Sequence, residues 1–334
     1  MLLPSTLSLL QDGKNLLAFS AGVDSSALFF LLQEQKIDFD IAIVNYQTRN
    51  QSDQEVAYAQ SLAKKHHIKC YLLTTSLPDK NFEANARTVR YDFFEQLIKE
   101  HAYNNLITAH QLDDRLEWLL MQLSKGAGLY ELLGSQAIDE RDYYTLVRPL
   151  LETSKTEIKT YLTEHKIQYF EDESNRDEKY KRNFFRHNLA TPLLERYSSG
   201  IKKSFSYLAE DLSELQKHPI SINSIDALYY FNFLGSRRSA IIAVDKLLKE
   251  LGFLMRQGDK EALKESHEHV VGRKYVVSFQ ENYCFIAPYQ ADEMSKVFKE
   301  HCRVLKIPQK LRPYLFESNK AFEVVRSLLT PNTL

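Results

Sequence analysis

The feature that most constrains the fold is residues 16–26, LLAFSAGVDSS, in which an apolar run passes directly into small and polar residues. The run predicts a buried strand, the small residues predict a tight turn, and residues 27–33 predict the start of a helix. At such a turn, backbone N–H groups without intrahelical partners converge, and the helix dipole attracts anions. The stretch therefore predicts an anion-binding loop.

The side chains of this loop suit a phosphate group, because the hydroxyls of Ser20, Ser25 and Ser26 can donate to its oxygens. The loop lacks the closing lysine of the G-x-x-x-x-G-K-S/T motif and the spaced glycines of a dinucleotide fingerprint. It resembles the S-G-G-x-D-S loop of the ATP-pyrophosphatase (PP-loop) enzymes, which adenylate a substrate and release pyrophosphate. That resemblance implies that ATP is bound by Ser20, Ala21, Gly22, Val23, Asp24, Ser25 and Ser26.

Ala21 stands where those enzymes usually have their first glycine. We expect an alanine to be tolerated only if position 21 needs neither a positive φ nor the closest approach to the phosphate. An ordinary strand-to-helix turn, with Asp24 or Ser25 capping the helix, is the alternative interpretation of the loop.

Composition limits the class of protein. A length of 334 residues allows two or three domains, and a hydrophobic content of 44% is ample for globular cores. No apolar run approaches the roughly 20 residues of a membrane span, and the N-terminus has no basic segment with a small-residue cleavage site. Three separated cysteines argue against a zinc or iron–sulfur site and fit a reducing compartment. We therefore expect a cytoplasmic protein without a membrane partner.

Charge is unevenly distributed along the chain. The net charge of −1 does not by itself indicate a nucleic-acid partner. Residues 179–203, however, contain seven basic residues, one acidic residue and several interleaved aromatic residues. Such a segment is typical of nucleic-acid contact and equally of a solvated helix face, so both interpretations stay open.

Strand and helix signals alternate through the first half of the chain, which predicts an α/β fold with a doubly wound, mostly parallel sheet. Two pairs, Ser52 with Glu55 and Ser154 with Glu157, have the spacing of capping boxes at helix starts. The predicted strands are 39–46, 69–75 and 105–109, with a hairpin of 275–279 and 283–287. The predicted helices are 52–67, 83–100, 112–123, 154–165 and 192–217, with helical patterning over 224–255.

The patterning shifts near residue 215, where we place a domain boundary. Residues 1–215 are expected to form the ATP-binding catalytic domain, with a helical extension from about residue 187. Residues 216–334 are expected to form a smaller α+β domain. In an open α/β sheet, ligands bind at the carboxyl ends of the strands, so the loops after the first, second and fourth strands should face one crevice.

The loop after the fourth strand carries candidate catalytic residues. Asp114 and Glu117 are three residues apart and share one face of the predicted helix, and His110 lies at the strand exit. Such carboxylates, beside a phosphate site, can hold Mg²⁺ or pair with an incoming ammonium group. The alternative is a helix N-terminus where acidic residues are favoured by the dipole alone.

Residues 108–117 read TAHQLDDRLE. This segment is similar to the T-A-H-H-x-D-D-Q-x-E-T motif of tRNA(Ile)-lysidine synthases. His110, Asp113, Asp114 and Glu117 agree with it, whereas Gln111, Arg115 and Trp118 depart from it. Four further stretches resemble that family's E-x-x-A-R-x-x-R-Y, R-G-x-G, R-P-L-L and D-x-S-N…R-N-x-x-R motifs in the same order, at residues 83–91, 125–128, 148–151 and 172–186.

The resemblance implies that the chain attaches L-lysine to C2 of the wobble cytidine of an isoleucine tRNA with a CAU anticodon. ATP would adenylate the cytidine, and lysine would then displace AMP. The implied catalytic residues are Asp114, Glu117, His110 and Asp24. Among them, Asp114 and Glu117 would bind the lysine, and Asp24 would hold Mg²⁺. The implied phosphate and tRNA contacts are Arg87, Arg90, Lys181, Arg182 and Arg186, and residues 216–334 would also bind tRNA; the oligomeric state is left open.

Two other enzyme classes of the PP-loop superfamily are alternatives. A PP-loop tRNA thiolase usually needs a C-x-x-C pair, and an amidating ligase of the same superfamily needs ammonia from a glutaminase; neither signal is present. A non-catalytic nucleotide-sensing module is the alternative from another class. Arg87 and Arg90 could instead form surface ion pairs with Glu83 or Glu95, and Asn85, Asp113 and Arg148 could be structural.

Overall fold

The computed structural model describes residues 1–47, 51–78, 81–171, 181–215, 220–233 and 236–330. The chain divides into two compact units, Met1–Leu215 and Gln216–Leu334. Residues 172–180, which carry part of the last motif, lie outside the described residues. None of the described helices combines the length and apolar character that a bilayer crossing requires.

Six strands form the sheet of the first unit: β1 (Asn15–Ala18), β2 (Phe39–Asn45), β3 (Cys70–Thr74), β4 (Asn105–Ile107), β5 (Ile138–Glu140) and β6 (Thr145–Val147). Their order is β3-β2-β1-β4-β6-β5. Neighbours are parallel except for β5 and β6, which run antiparallel. The order extends from β1 in both directions, so the predicted doubly wound, mostly parallel sheet is confirmed.

Helices cover both faces of this sheet: α1 (Pro4–Asp12), α2 (Val23–Glu34), α3 (Gln51–His66), α4 (Phe82–His101), α5 (Leu112–Leu123), α6 (Leu129–Leu133), α7 (Lys155–Glu164), α8 (Lys181–Phe185), a π-helical turn (Arg186–Ala190) and α9 (Thr191–Leu215). Leu17 packs in a core with α2, α3 and α7, whereas Leu16 packs with Phe94 and Leu97 of α4. Successive strand side chains point to opposite faces, which is why adjacent leucines of β1 enter different cores.

The two predicted capping boxes have different outcomes. Ser154 caps α7 as predicted: its hydroxyl accepts the Glu157 N–H, and the Glu157 carboxylate accepts the Ser154 N–H over 2.7 Å. Ser52 is not a cap, because α3 begins one residue earlier, at Gln51. The strands β5 and β6 were not predicted, since three residues are too few to show a period.

Five antiparallel strands form the sheet of the second unit: β7 (Asn223–Ile225), β8 (Leu228–Asn232), β9 (Glu268–Val271), β10 (Tyr275–Gln280) and β11 (Tyr283–Pro288), in the order β7-β8-β11-β10-β9. Its helices are α10 (Arg237–Glu250), α11 (Gln257–Glu265), α12 (Lys296–Val304), α13 (Arg312–Glu317) and α14 (Asn319–Leu329). Val276 packs with the last three helices and Val277 with α10 and α11, so this unit is α+β. The predicted hairpin corresponds to β10 and β11.

The helical patterning predicted over 224–255 is wrong for its first part, where β7 and β8 form instead. Leu228 and Phe231 are both fully buried, and their spacing of three residues imitates a helical repeat. In the strand the same odd spacing directs the two side chains to opposite faces of the sheet, where they enter different cores. The choice between the two periods is therefore made by tertiary packing.

Candidate active site

The phosphate loop (residues 20–26) connects β1 to α2 and is held by its own serines. The Ser20 and Ser25 hydroxyls lie 3.1 Å apart, and the Ser25 hydroxyl is 3.2 Å from the Gly22 carbonyl, to which it donates. Within the described chain no side chain caps α2, so the proposed capping by Asp24 or Ser25 is not observed. The first N–H groups of α2 and the positive end of its dipole are thus available to an anion.

Ala21 adopts a left-handed backbone conformation with φ of 58°. The expectation that alanine is tolerated here only if position 21 needs no positive φ is therefore wrong. A non-glycine residue pays roughly 1–2 kcal/mol for this conformation. Two contacts compensate: the Ala21 side chain is fully buried in the core, and its carbonyl accepts the Phe170 N–H over 2.9 Å.

The loop serines differ in what they can reach. Ser20 is exposed at the surface of the loop, whereas Ser26 is completely buried beneath it. The Ser26 hydroxyl has no hydrogen-bond partner among the described residues. The structure therefore presents Ser20, and not Ser26, to solvent as a hydroxyl donor.

Asp24 is paired with Lys155, a residue that sequence reasoning missed. The Lys155 ammonium lies 2.7 Å from each oxygen of the Asp24 carboxylate. Burial raises the pKa of Asp24, the Lys155 charge opposes that effect, and the Asp114 carboxylate adds to it. Since the two residues are 131 positions apart, no local pattern could have indicated the pair.

Asp113 fixes the position of Lys155. Its carboxylate accepts the backbone N–H of Lys155, the first residue of α7, over 2.8 Å. Burial raises the pKa of Asp113 to about 6. This carboxyl group therefore joins the start of α5 to the start of α7, which supports the structural interpretation of Asp113.

Asp114 and Glu117 form an ion cluster with Arg182 and Arg186. Arg182 donates to Asp114 over 2.7 Å and to Glu117 over 2.9 Å, and Arg186 donates to Glu117 over 2.5 Å. The Glu117 side chain is only 1% exposed. The four residues, called the ion cluster below, carry two negative and two positive charges and together are neutral.

The ion cluster joins two groups that the resemblance assigned to different ligands: the carboxylates to lysine, and the arginines to phosphate or tRNA. Burial alone would raise the pKa of Asp114, but the guanidinium of Arg182, with that of Arg186, lowers it below its ordinary value. Asp24 and Asp114 follow the adjacent parallel strands β1 and β4, and Lys155 joins Asp24 to Asp113, the neighbour of Asp114. The ion cluster and the phosphate loop therefore share one crevice at the carboxyl edge of the sheet.

His110 lies beside the cluster as a neutral imidazole. Burial lowers its pKa to about 4, although the Asp114 charge opposes this shift. Its Nδ1 is 2.9 Å from the Thr108 hydroxyl, which orients the ring. A neutral histidine can donate or accept one hydrogen bond at the remaining nitrogen, which suits positioning better than proton abstraction from an ammonium group.

Arg87 and Arg90 are exposed on α4, and neither forms an ion pair with another residue of the described ranges. The alternative of a surface pair with Glu83 or Glu95 is therefore not observed; Glu95 accepts instead from the hydroxyls of Tyr143 and Tyr144. Arg87 stacks on the Tyr91 ring at 4.9 Å. These two cations are therefore available to an external anion, as is the exposed Lys181 on α8.

The described residues of this unit offer a metal ion no ready-made protein cage. No group of three or more His, Cys, Asp or Glu side chains in the described ranges is arranged to hold a metal. Asp24 is the acidic side chain of the phosphate loop itself. Mg²⁺ is commonly bound through one or two carboxylates together with substrate phosphates, and a single Asp24 fits that pattern.

Comparisons with known proteins identify the domain and the family. Residues 4–193 match the PP-loop domain family. Among solved structures, the U34-tRNA thiolase of Methanococcus maripaludis superposes with a TM-score of 0.52 at 16% identity, over 62% of this chain and 76% of that one. At that identity, the likeness concerns the fold alone.

Curated relatives extend the similarity through most of the chain. The tRNA(Ile)-lysidine synthase of Helicobacter pylori is 45% identical over 310 residues, covering 92% of this chain and 90% of that protein. The corresponding Campylobacter jejuni protein is 44% identical over 311 residues, covering 93% and 94%. The chain belongs to the tRNA(Ile)-lysidine synthase family. The resemblance drawn from the motifs is confirmed, and the protein is an ATP-binding ligase of the PP-loop class that acts in tRNA processing.

The structure shows which residues of the lysidine synthase motifs lie together. The structure brings Asp24, His110, Asp114, Arg182 and Arg186 into one crevice. It adds Lys155, whose only sequence signal was the neighbouring capping box. The D-x-S-N motif at residues 172–175 lies outside the described residues.

Proposed function

We propose that the protein ligates L-lysine to C2 of the wobble cytidine, C34, of tRNA(Ile) with a CAU anticodon. ATP first adenylates the cytidine, and lysine then displaces AMP, so the products are lysidine, AMP and pyrophosphate. The observation that carries the proposal is the shared crevice, which holds the uncapped start of α2, the half-buried Asp114 and the buried Glu117.

In the first step, the C2 carbonyl oxygen of cytosine attacks the α-phosphorus of ATP. A P–O bond forms there, and the bond to the β-phosphate oxygen breaks, so pyrophosphate leaves with the bonding electrons. The N–H groups at the start of α2 and the Ser20 hydroxyl bind the leaving group, because negative charge develops there. A cytosine in a single-stranded anticodon loop is readily unstacked for this attack.

Asp24 would hold Mg²⁺, which supplies charge neutralisation for the phosphates when bound. In the structure, both Asp24 oxygens are engaged by Lys155. We infer that Lys155 turns from Asp24 towards the phosphates when ATP enters, since its ammonium then gains an anionic partner. The Asp113 contact to the Lys155 backbone holds the lysine within reach of both positions.

In the second step, the neutral ε-amine of lysine attacks C2, a C–N bond forms, and AMP leaves with the C2 oxygen. An ammonium group has no lone pair and must first lose a proton, which Asp114 or Glu117 accepts. Before ATP and tRNA bind, the arginines of the ion cluster occupy these carboxylates. We infer that phosphates of the bound substrates attract Arg182 and Arg186, and that the released carboxylates then bind lysine.

Three further cations are proposed to contact the phosphates of the tRNA. Arg87, Arg90 and Lys181 are exposed and suit phosphate contacts, since guanidinium groups match phosphate oxygens. We propose that the unit Gln216–Leu334 contributes further tRNA contacts. A tRNA substrate places the reaction in the cytoplasm.

The test supplies radiolabelled lysine, ATP and tRNA transcripts. Label is expected in the isoleucine transcript with C34 and in no transcript with U34, and a methionine transcript with the same anticodon tests discrimination. Asp114→Ala is expected to lower lysine transfer by at least about 100-fold, as loss of a group that acts in proton transfer does. The matched control, Asp92→Ala on the exposed face of α4, should keep the wild-type rate.

Three results would contradict the proposal. Adenylation of another substrate without lysine transfer would indicate a different PP-loop tRNA-modifying enzyme. ATP binding without pyrophosphate release would indicate a nucleotide-sensing module. A wild-type rate for Asp114→Ala would remove that carboxylate from the reaction.

A further inference from the structure

Trp118 is the only tryptophan in the chain, and the proposed reaction leaves it without a role. It directly follows Glu117 on α5 and lies one helical turn beyond Asp114, on the same side of the helix. Its side chain is 45% exposed, although a tryptophan offers more apolar surface to bury than any other residue. It also departs from the family motif, which has threonine at this position.

The structure holds the indole ring in place. The indole N–H donates to the Glu131 carbonyl over 2.7 Å, so the polar edge of the ring is satisfied within the protein. Gly134 lies directly against the ring, and a Cβ atom there would come within 2.5 Å of the indole nitrogen. Gly134 also has a φ of 58°, a conformation that favours glycine. The ring is thus oriented before any ligand arrives, while much of its apolar surface remains open to solvent.

Cations and a second exposed aromatic ring belong to the segment that pairs with Glu117, the residue before Trp118. Glu117, its neighbour on α5, binds Arg182 and Arg186. Phe184 lies between those arginines in sequence and is 46% exposed. Exposed aromatic rings beside cationic groups are the combination with which proteins bind single-stranded nucleic acid: the rings stack on bases, and the cations contact the backbone.

We propose that Trp118 is a stacking platform for an unstacked base of the single-stranded RNA loop that carries the modified cytidine. The inference rests on the proposed function only in taking RNA as the substrate. A pre-oriented ring loses little conformational entropy when a base stacks on it. Because Trp118 is one turn from Asp114, a base on the ring lies close to the carboxylates proposed to receive lysine.

The single tryptophan makes a direct test feasible with the wild-type chain. The intrinsic fluorescence of Trp118 is followed while an anticodon stem-loop RNA is added, and RNA binding is measured in parallel by the anisotropy of labelled RNA. We expect the RNA to quench Trp118, and the same hairpin with abasic loop positions to bind more weakly and quench less. ATP alone and lysine alone should leave the fluorescence unchanged.

Variants provide the second measurement. Trp118→Ala is expected to weaken RNA binding about 5- to 150-fold, the range found when one base-stacking aromatic residue is removed. Trp118→Phe should restore most of the affinity, which a merely structural role at the indole N–H would not permit. The matched control is Leu123→Ala, an exposed apolar side chain on the same helix, with an expected change of less than about twofold.

The outcomes separate this inference from the proposed function. RNA binding without a change in Trp118 fluorescence overturns the stacking role alone. Quenching by ATP or by lysine alone also overturns it, because the ring then contacts a small ligand. Quenching by RNA in a protein that transfers no lysine supports the stacking role and rejects the proposed function. Absence of RNA binding overturns both.

Discussion

Asp113 provides a sharp test of the electrostatics of the site, because its carboxyl is buried and holds the start of α7. The side chain is 7% exposed, and it accepts the Lys155 N–H over 2.8 Å. Burial raises its pKa from the ordinary 3.8 to about 6. Ionised Asp113 therefore costs the folded protein about 3 kcal/mol relative to the unfolded chain.

The direction of the pH dependence follows from this shift. The folded state holds the Asp113 proton more tightly than the unfolded state, so the free energy of unfolding falls as the pH rises from about 4 to about 6. Above that range the loss is complete. Asp113→Asn removes the charge and retains an oxygen that can accept the Lys155 N–H. We expect the free energy of unfolding of the variant to exceed that of the wild type by up to about 3 kcal/mol at pH 8. Near pH 4 the two values should differ little.

Urea denaturation, followed by the fluorescence of Trp118, measures the unfolding of the first unit in the full chain. Wild type, Asp113→Asn and the matched control Asp92→Asn, on the exposed face of α4, are compared at both pH values. The control should stay within about 0.5 kcal/mol of wild type. A less stable Asp113→Asn at pH 8, or a difference from wild type that is independent of pH, would refute the reasoning.

Two further predictions concern the charged contacts of the crevice. Lys155→Met is expected to lower the rate of pyrophosphate release at least about 10-fold, because the leaving group loses a cation. A wild-type rate would contradict this prediction. The control is Lys159→Met on the same helix. Arg182→Ala is expected to lower the KM for lysine and raise the KM for tRNA, because Asp114 loses a competing partner. A higher KM for lysine with an unchanged KM for tRNA would disprove the proposed exchange.

Local sequence patterns predicted the parts of the site that depend on neighbours in the chain. The apolar run before Ser20 and the small residues after it indicated the strand, the turn and the helix start. The Ser154–Glu157 spacing indicated the start of α7, because a capping box closes within one helical turn. Asp114 and Glu117 were predicted to share one face of α5, and both contact Arg182.

Other features depended on contacts that no local pattern contains. Ala21 accepts a left-handed backbone because the core and the Phe170 N–H hold it there. Leu228 and Phe231 have helical spacing but form a strand, because each side of the sheet provides a separate core. In both cases tertiary contacts outweigh a local preference of about 1 kcal/mol.

The sequence by itself determined the class of fold, the phosphate loop, the family and the identity of the charged residues in the crevice. Only the tertiary structure decided which of those charges meet: Lys155 with Asp24, and the arginines of the ion cluster with its carboxylates. The physical reason is distance along the chain. Hydrogen-bond spacing within a turn or a helix is encoded locally, whereas partners separated by 65 to 131 residues are brought together only when the sheet and its helices pack.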